Sequence, residues 1–239
     1  MFKKQLIIAL LLIVTATCLL AADIDPLWAK AQKMAQADWD MVPGKVKLSI
    51  STSGAQSMSA EIHLSVKQTP EGLETEFIQG VLGGEEIDPA DPMVGQMLQQ
   101  DFTPQQEGIF FDDPADLKLK KAKGTKMVDG VDCVTFKYNK KVKTDDGNTS
   151  EIIGTMYLDS KTGEPVMDEN TIFPLPDMFT KMSNTTYYKI DKKGHLISDR
   201  VYNESTIEFA GQKMETTTKS TMLNHFQYTP PSTEGMFEE

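Results

Sequence analysis

The stretch KVKLSISTSGAQSMSAEIHLSVKQ, residues 45–68, decides how the chain is read. Val46, Leu48 and Ile50 alternate with Lys and Ser, and after Ser53-Gly54 the alternation resumes at Ile62, Leu64 and Val66. A period of two puts every second side chain on one face, so both arms read as strands with one apolar and one wet face. The short polar connection makes them an antiparallel hairpin. Downstream, Glu71-Gly72 turns the chain into another run, LETEFIQGVL. A break rich in Gly, Glu, Asp and Pro runs from Gly83 to Pro92. Strands resume near Leu117, punctuated by Asp129-Gly130, Asp146-Gly147, Gly163, Lys193-Gly194 and Ala210-Gly211. These turn signals divide the chain into about ten strands.

Upstream of the hairpin, DIDPLWAKAQKMAQADWDM (23–41) changes to helical spacing. Asp25 can cap the helix and Pro26 suits its first turn. Leu27, Ala31, Met34 and Ala35 form the predicted apolar stripe, with Trp28 and Trp39 at its flanks. Before it, Lys3 and Lys4 precede an apolar run from Leu6 to Leu20 and the small residues Ala21 and Ala22. That order is a secretory signal peptide, with cleavage expected after Ala22 and export to the periplasm. Residues 23–239 then form a single domain with a loose tail from about Thr229. Cys18 sits inside the apolar run, preceded by Thr17 and followed by Leu19 and Leu20, so a removed residue is the better reading than a lipid anchor. The mature chain would keep only Cys133, which rules out an internal disulfide and reads as a buried structural thiol.

Two segments are rich in methionine: DPMVGQMLQQ (91–100) and FPLPDMFTKM (173–182). Met93, Val94, Met97 and Leu98 share a face of a short helix, and Phe173, Leu175, Met178, Phe179 and Met182 repeat the theme. A sheet wet on one face must bury the other, and no second sheet or layer of long helices is available. The fold class is therefore mainly β (α+β). One strongly curved antiparallel sheet forms an incomplete barrel, with the N-terminal helix and the short Met-rich helices plugging its concave face.

The chemistry this sequence can carry is narrow. A net charge of −11 repels phosphate backbones, so nucleic acid is excluded as a partner. His63, His195 and His225 have no His, Cys or carboxylate at metal-ligand spacing, and Asp88, Asp91 and Asp101 do not follow a calcium loop, so no metal or other cofactor is expected. No G-x-S-x-G elbow is present, and Glu85-Glu86 and Asp112-Asp113 lie in loop sequence, so the chain does not read as an enzyme.

MYLDSKTGEPVMDE (156–169), a strand ending in Asp, a Thr-Gly turn and a Pro opening the return strand, carries a family likeness. YYKIDKKGHLISDRVYNES (187–205) extends it. With the signal sequence and the Asp/Pro-started helix, the chain resembles the periplasmic outer-membrane lipoprotein carrier (LolA/LolB-like) superfamily. The resemblance implies a half-barrel whose apolar cavity shields acyl chains, acting as a monomeric lipid or lipoprotein carrier. Met93, Met97, Leu98, Phe173, Leu175, Met178 and Phe179 are the residues expected to close that cavity. The family's arginine early in the barrel has no counterpart, because the chain's single arginine is Arg200. The rival reading is an envelope protein-interaction module with a fully packed half-barrel and no ligand. A large apolar cavity would favour the carrier, and a full interior the rival.

Overall fold

The computed structural model describes residues 24–54, 57–99, 102–104, 106, 108–143 and 149–231. The signal segment 1–22 with Cys18, the Asp146-Gly147 turn and the tail from residue 232 lie outside them. Helix α1 is Pro26–Ala37 and helix α2 is Pro92–Leu98. The strands are β1 (Met41–Val42), β2 (Lys45–Gly54), β3 (Met58–Thr69), β4 (Gly72–Leu82), β5 (Glu85–Glu86), β6 (Lys120–Val128), β7 (Val131–Lys143), β8 (Thr149–Asp159), β9 (Pro165–Phe173), β10 (Phe179–Ile190), β11 (Leu196–Phe209), β12 (Gln212–Leu223) and β13 (Phe226–Gln227). Eleven of them form one antiparallel sheet in the order β5-β4-β3-β2-β12-β11-β10-β9-β8-β7-β6. Two consecutive meanders are thus joined where β2 pairs with β12, from Lys45 opposite Leu223 to Gly54 opposite Met214. The edges β5 and β6 do not pair, so the barrel is not closed. A two-residue ladder between β1 and β13 ties down the C-terminal segment, and Thr229, where a loose tail was expected, exchanges hydrogen bonds with the Gln68 side chain.

Turn chemistry sets the hairpins. Asp129 and Gly130 both adopt positive φ (47° and 83°), which the right-handed twist of the flanking strands requires of a two-residue turn. At the β8–β9 turn, Asp159 Oδ1 accepts from the amides of Lys161 (2.7 Å) and Thr162 (2.8 Å), and Gly163 takes φ 72°. That turn packs against the start of α1, because a Cβ on Gly163 would lie 3.3 Å from Leu27.

Side chains of even number on β2 point to the face that holds the helices, here called the inner face. Two separate apolar clusters form on it. The first joins Val46, Leu48, Ile62, Leu64 and Val66 to Val94 of α2, with Met97 and Leu98 half-buried beside them. The second joins Trp28 and Ala31 of α1 to Phe136, Met156 and Leu158. Trp28 is completely buried, 5.5 Å from the ring centres of both Phe110 and Phe136. The helix thus rolls toward Trp28, which the sequence pattern puts at the flank of the stripe. The large ring reaches the core where Leu27 and Met34 stay only half-buried.

The clusters are linked by the chain between β5 and β6, residues 87–119, which travels from one sheet edge to the other. This strap gives Ile87, Val94 and Phe102 to the first cluster and Phe110 and Leu117 to the second. Helix α1 holds it directly: Gln36 Nε2 donates to Phe110 O (2.8 Å) and Gln32 Nε2 to Asp112 O (3.2 Å). Among the described residues, β11 and β12 contribute none to these clusters, although Leu196 and Ile197 at the start of β11 are buried.

The second expected Met-rich helix does not form. Residues 174–178 make a turn, and Phe173 and Met178 are 61% and 57% exposed. Pro174 and Pro176 remove two amides within three residues, which bars a helix there, and the Phe173–Pro174 peptide is cis. Of the two Met-rich segments, only the first holds a helix, α2.

One cross-strand pair fixes the inner face beneath the strap. Tyr138 on β7 lies opposite Gly154 on β8, and a Cβ on Gly154 would come within 2.2 Å of the Tyr138 ring. Gly154→Ala must therefore displace a buried aromatic ring, and is expected to destabilise by about 1–3 kcal/mol. Gly95→Ala in α2, where an added Cβ meets nothing within 4 Å, should be neutral or slightly stabilising. Chemical denaturation of the two variants checks the pair, and equal midpoints would contradict the packing described.

Candidate functional site

Between strap and sheet lies a cleft of about 460 Å³. Its roof is apolar: Ala35 and Trp39 at the end of α1, and Ile109 to Phe111 of the strap. Its floor is mixed: Tyr138 (β7), Asp168 and Asn170 (β9), and Asn184, Thr186 and Tyr188 (β10) stand beside the apolar Ile152 (β8) and Leu196 (β11). The register explains the arrangement, because Asn184 lies opposite Asn170 and Thr186 opposite Asp168, and both pairs fall on the inner face.

Asp168 is the centre of the floor and only 6% exposed. The Tyr138 hydroxyl donates to it, 3.0 Å from Oδ1 and 2.9 Å from Oδ2, and Asn170 Nδ2 donates to Oδ2 at 2.8 Å. Burial pushes the Asp168 carboxyl up to about 6 from its ordinary 3.8, with the bonds from Asn170 and Tyr138 opposing the rise. Burial and the neighbouring carboxylate push the Tyr138 and Tyr188 hydroxyls far above their usual range, so both stay neutral. Asn184 Oδ1 is buried and has no hydrogen-bond partner.

Ion pairs fasten the mouth. Lys140 Nζ sits 2.8 Å from Asp112 Oδ2 of the strap. Asp38 accepts from Leu196 N through Oδ2 (2.8 Å), and its Oδ1 lies 2.8 Å from His195 Nδ1, which joins the end of α1 to the start of β11. Among the described residues no group of three His, Cys, Asp or Glu is placed to hold a metal ion. Cys133 is buried and its thiol is pushed up to about 11 by burial, a non-nucleophilic setting on the outer face.

The residues that the sequence nominated do not line this cleft. Met97 and Leu98 are half-buried against the first cluster, and Met93 lies in α2. Phe173 ends β9, Leu175 and Met178 sit in the turn after it, and Phe179 opens β10 opposite Ile207. The two segments are therefore not brought into one lid. Instead, Phe179, Ile207 and Met214 are cross-strand neighbours on β10, β11 and β12, with Phe209 two residues past Ile207 on the same inner face. Met214 is 38% and Phe209 69% exposed, so this apolar stripe at the end of the sheet is open to solvent. Arg200 lies on the other face, its guanidinium 4.5 Å from the Tyr187 ring centre and 2.6 Å from Asp129 Oδ2.

Neither a family model nor a curated protein matches the chain. Among solved structures, similar ones include the Pseudomonas aeruginosa MucA/MucB complex, at 10% identity over 86% of this chain and 100% of that chain, with a TM-score of 0.24. Another is MucB in complex with MucA(peri), at 11% identity over 84% of this chain and 98% of that one, again with a TM-score of 0.24. Scores this low do not define a shared fold.

Asp168→Asn keeps the shape of the floor and removes its titration. A raised carboxyl value means that the stability Asp168 contributes is complete below 3.8 and lost as pH rises through about 6. The Asn variant should therefore gain on the wild type between about pH 4 and pH 8, by roughly 3 kcal/mol. Denaturation free energies measured across that range give the answer, and a pH-independent difference would contradict a buried, ionising Asp168.

Proposed function

We propose that the chain is an exported, non-enzymatic binding protein of the cell envelope that engages a protein partner. It is built on the plan of the lipoprotein carriers it resembles, with its sheet curled around the strap, but it does not shelter acyl chains. The signal-like N-terminus supports export. The interior supports a partner over a lipid: the chain's own side chains fill both apolar clusters. The cleft that remains has a buried carboxylate and two amides in its floor. An acyl chain laid there would strip these groups of polar contacts, at about 1–3 kcal/mol for each group left unpaired. Arg200, the chain's single arginine, is turned away from the cleft onto Tyr187.

The observation that carries the reading is the open apolar stripe of Phe179, Ile207, Phe209 and Met214. Exposed apolar residues gathered at one site mark an interaction surface, whereas scattered ones do not. Both sheet edges are poor docking sites. β5 is two residues long, and β6 carries Lys120, Lys121, Lys123 and Lys126 and a register shift at Gly124. A partner is thus received on a face, and the acidic chain favours one with a basic surface.

A photo-crosslinking amino acid at position 209, in cells making the exported protein, should trap one discrete protein adduct. Met214→Lys should abolish it without shifting the melting temperature. Recovery of a stoichiometric acyl species from the purified protein, with no adduct at 209, would overturn the reading in favour of a carrier.

A further inference from the structure

We propose that the cleft floor recognises a positively charged, donor-bearing group, a guanidinium or a primary ammonium, on a ligand with an apolar stem. The case is one of hydrogen-bond supply. An ionised carboxylate offers about four lone-pair positions. Asp168 receives one proton from the Tyr138 hydroxyl, shared between its two oxygens, and one from Asn170. Beside it, Asn184 Oδ1 is buried with no donor at all. Asn184 Oδ1 and part of the Asp168 carboxylate are thus acceptors still without a donor.

The charges point the same way. Lys140, the cation that lines the cleft, is committed to Asp112, and nearby His195 bonds to Asp38. The tyrosines contribute no charge. Asp168 is therefore ionised near neutral pH with no cation bonded to it among the described residues, and a buried charge of this kind is relieved by pairing. Above the floor, Ala35, Trp39, Ile109 and Phe111 supply an apolar roof. A cation on an aliphatic stem satisfies both surfaces, whereas a fatty acid would set a second carboxylate against Asp168.

This inference deepens the partner reading, since a basic side chain of the docked protein is one source of such a group and a free amine is the other. The probe is N-acetyl-arginine methylamide, titrated calorimetrically at pH 8 into the full mature chain. The controls are the isosteric citrulline derivative and octanoate. The arginine probe should bind roughly 10–100-fold more tightly than the citrulline one, as a charge-assisted bond to a buried carboxylate predicts. Asp168→Asn should erase that preference, and Asn184→Leu should weaken binding of both amides while Asp168 remains. Melting curves on the same samples separate loss of the site from loss of the fold. Equal binding of arginine and citrulline probes by a folded protein, or tighter binding of octanoate, would overturn the proposal. Arginine binding without a crosslink at position 209 would support a free amine as ligand and sink the partner reading alone. A crosslink without arginine binding would do the reverse.

Discussion

The chain has to travel from β5 to β6, the two extreme edges of an eleven-stranded sheet, and it does so across one face. Much of the remaining architecture depends on that crossing. The strap carries apolar side chains at both ends, and each end seeds a cluster: Ile87, Val94 and Phe102 over β2–β4, Phe110 and Leu117 over β6–β8. Between the two landings much of the inner face is polar, although Leu196 at the start of β11 is buried. Thr216, Thr218 and Ser220 stand on the inner face of β12, and Asn203 and Ser205 on that of β11. Helix α1 acts as a clamp, offering Trp28 to the second cluster and two glutamine amides to the strap's carbonyls.

The polar middle and the filled ends account for the cleft's mixed character. Its roof is made by segments that cover apolar surface, and its floor sets the polar side chains of β9 and β10 beside the second cluster, to which Tyr138 belongs. An interior of this kind is specific but not greasy. The carboxylate of Asp168 can be sustained there because Tyr138 and Asn170 share its charge, and Tyr138 holds its place because Gly154 leaves room for the ring.

Local pattern was readable in the sequence, and long-range juxtaposition was not. The hairpins follow from alternation and from turns such as Asp129-Gly130, and ten strands of nine residues or more appear where about ten were expected. The cap on α1 also follows, with Asp25 Oδ1 accepting from Leu27 N at 2.9 Å. The FPLPDMFTKM segment misled because its apolar spacing resembles a helix, while its two prolines, which are the stronger signal, forbid one. The cleft was invisible for a different reason. Asp168, Asn170 and Asn184 look like ordinary strand polars until register places them side by side beneath the strap. A clue did exist, since Asp168 and Asn170 alternate with Met167 on the phase that Ile172 shares, which puts polar groups on a buried face. The apolar stripe likewise needs three strands, β10, β11 and β12, to bring Phe179, Ile207 and Met214 into line.

The ladder between β2 and β12 has a consequence for how this molecule is assembled. Its ten residue pairs join segments that lie far apart along the chain, and they are the only pairing between the N-terminal and C-terminal meanders of the large sheet. Each meander is made of sequential hairpins and can form from neighbouring residues alone. Their union requires closing a long loop, a step whose entropic cost falls on the folding rate more than on the final stability. Until that seam zips, β2 and β12 are both bare strand edges, open to pairing with another chain.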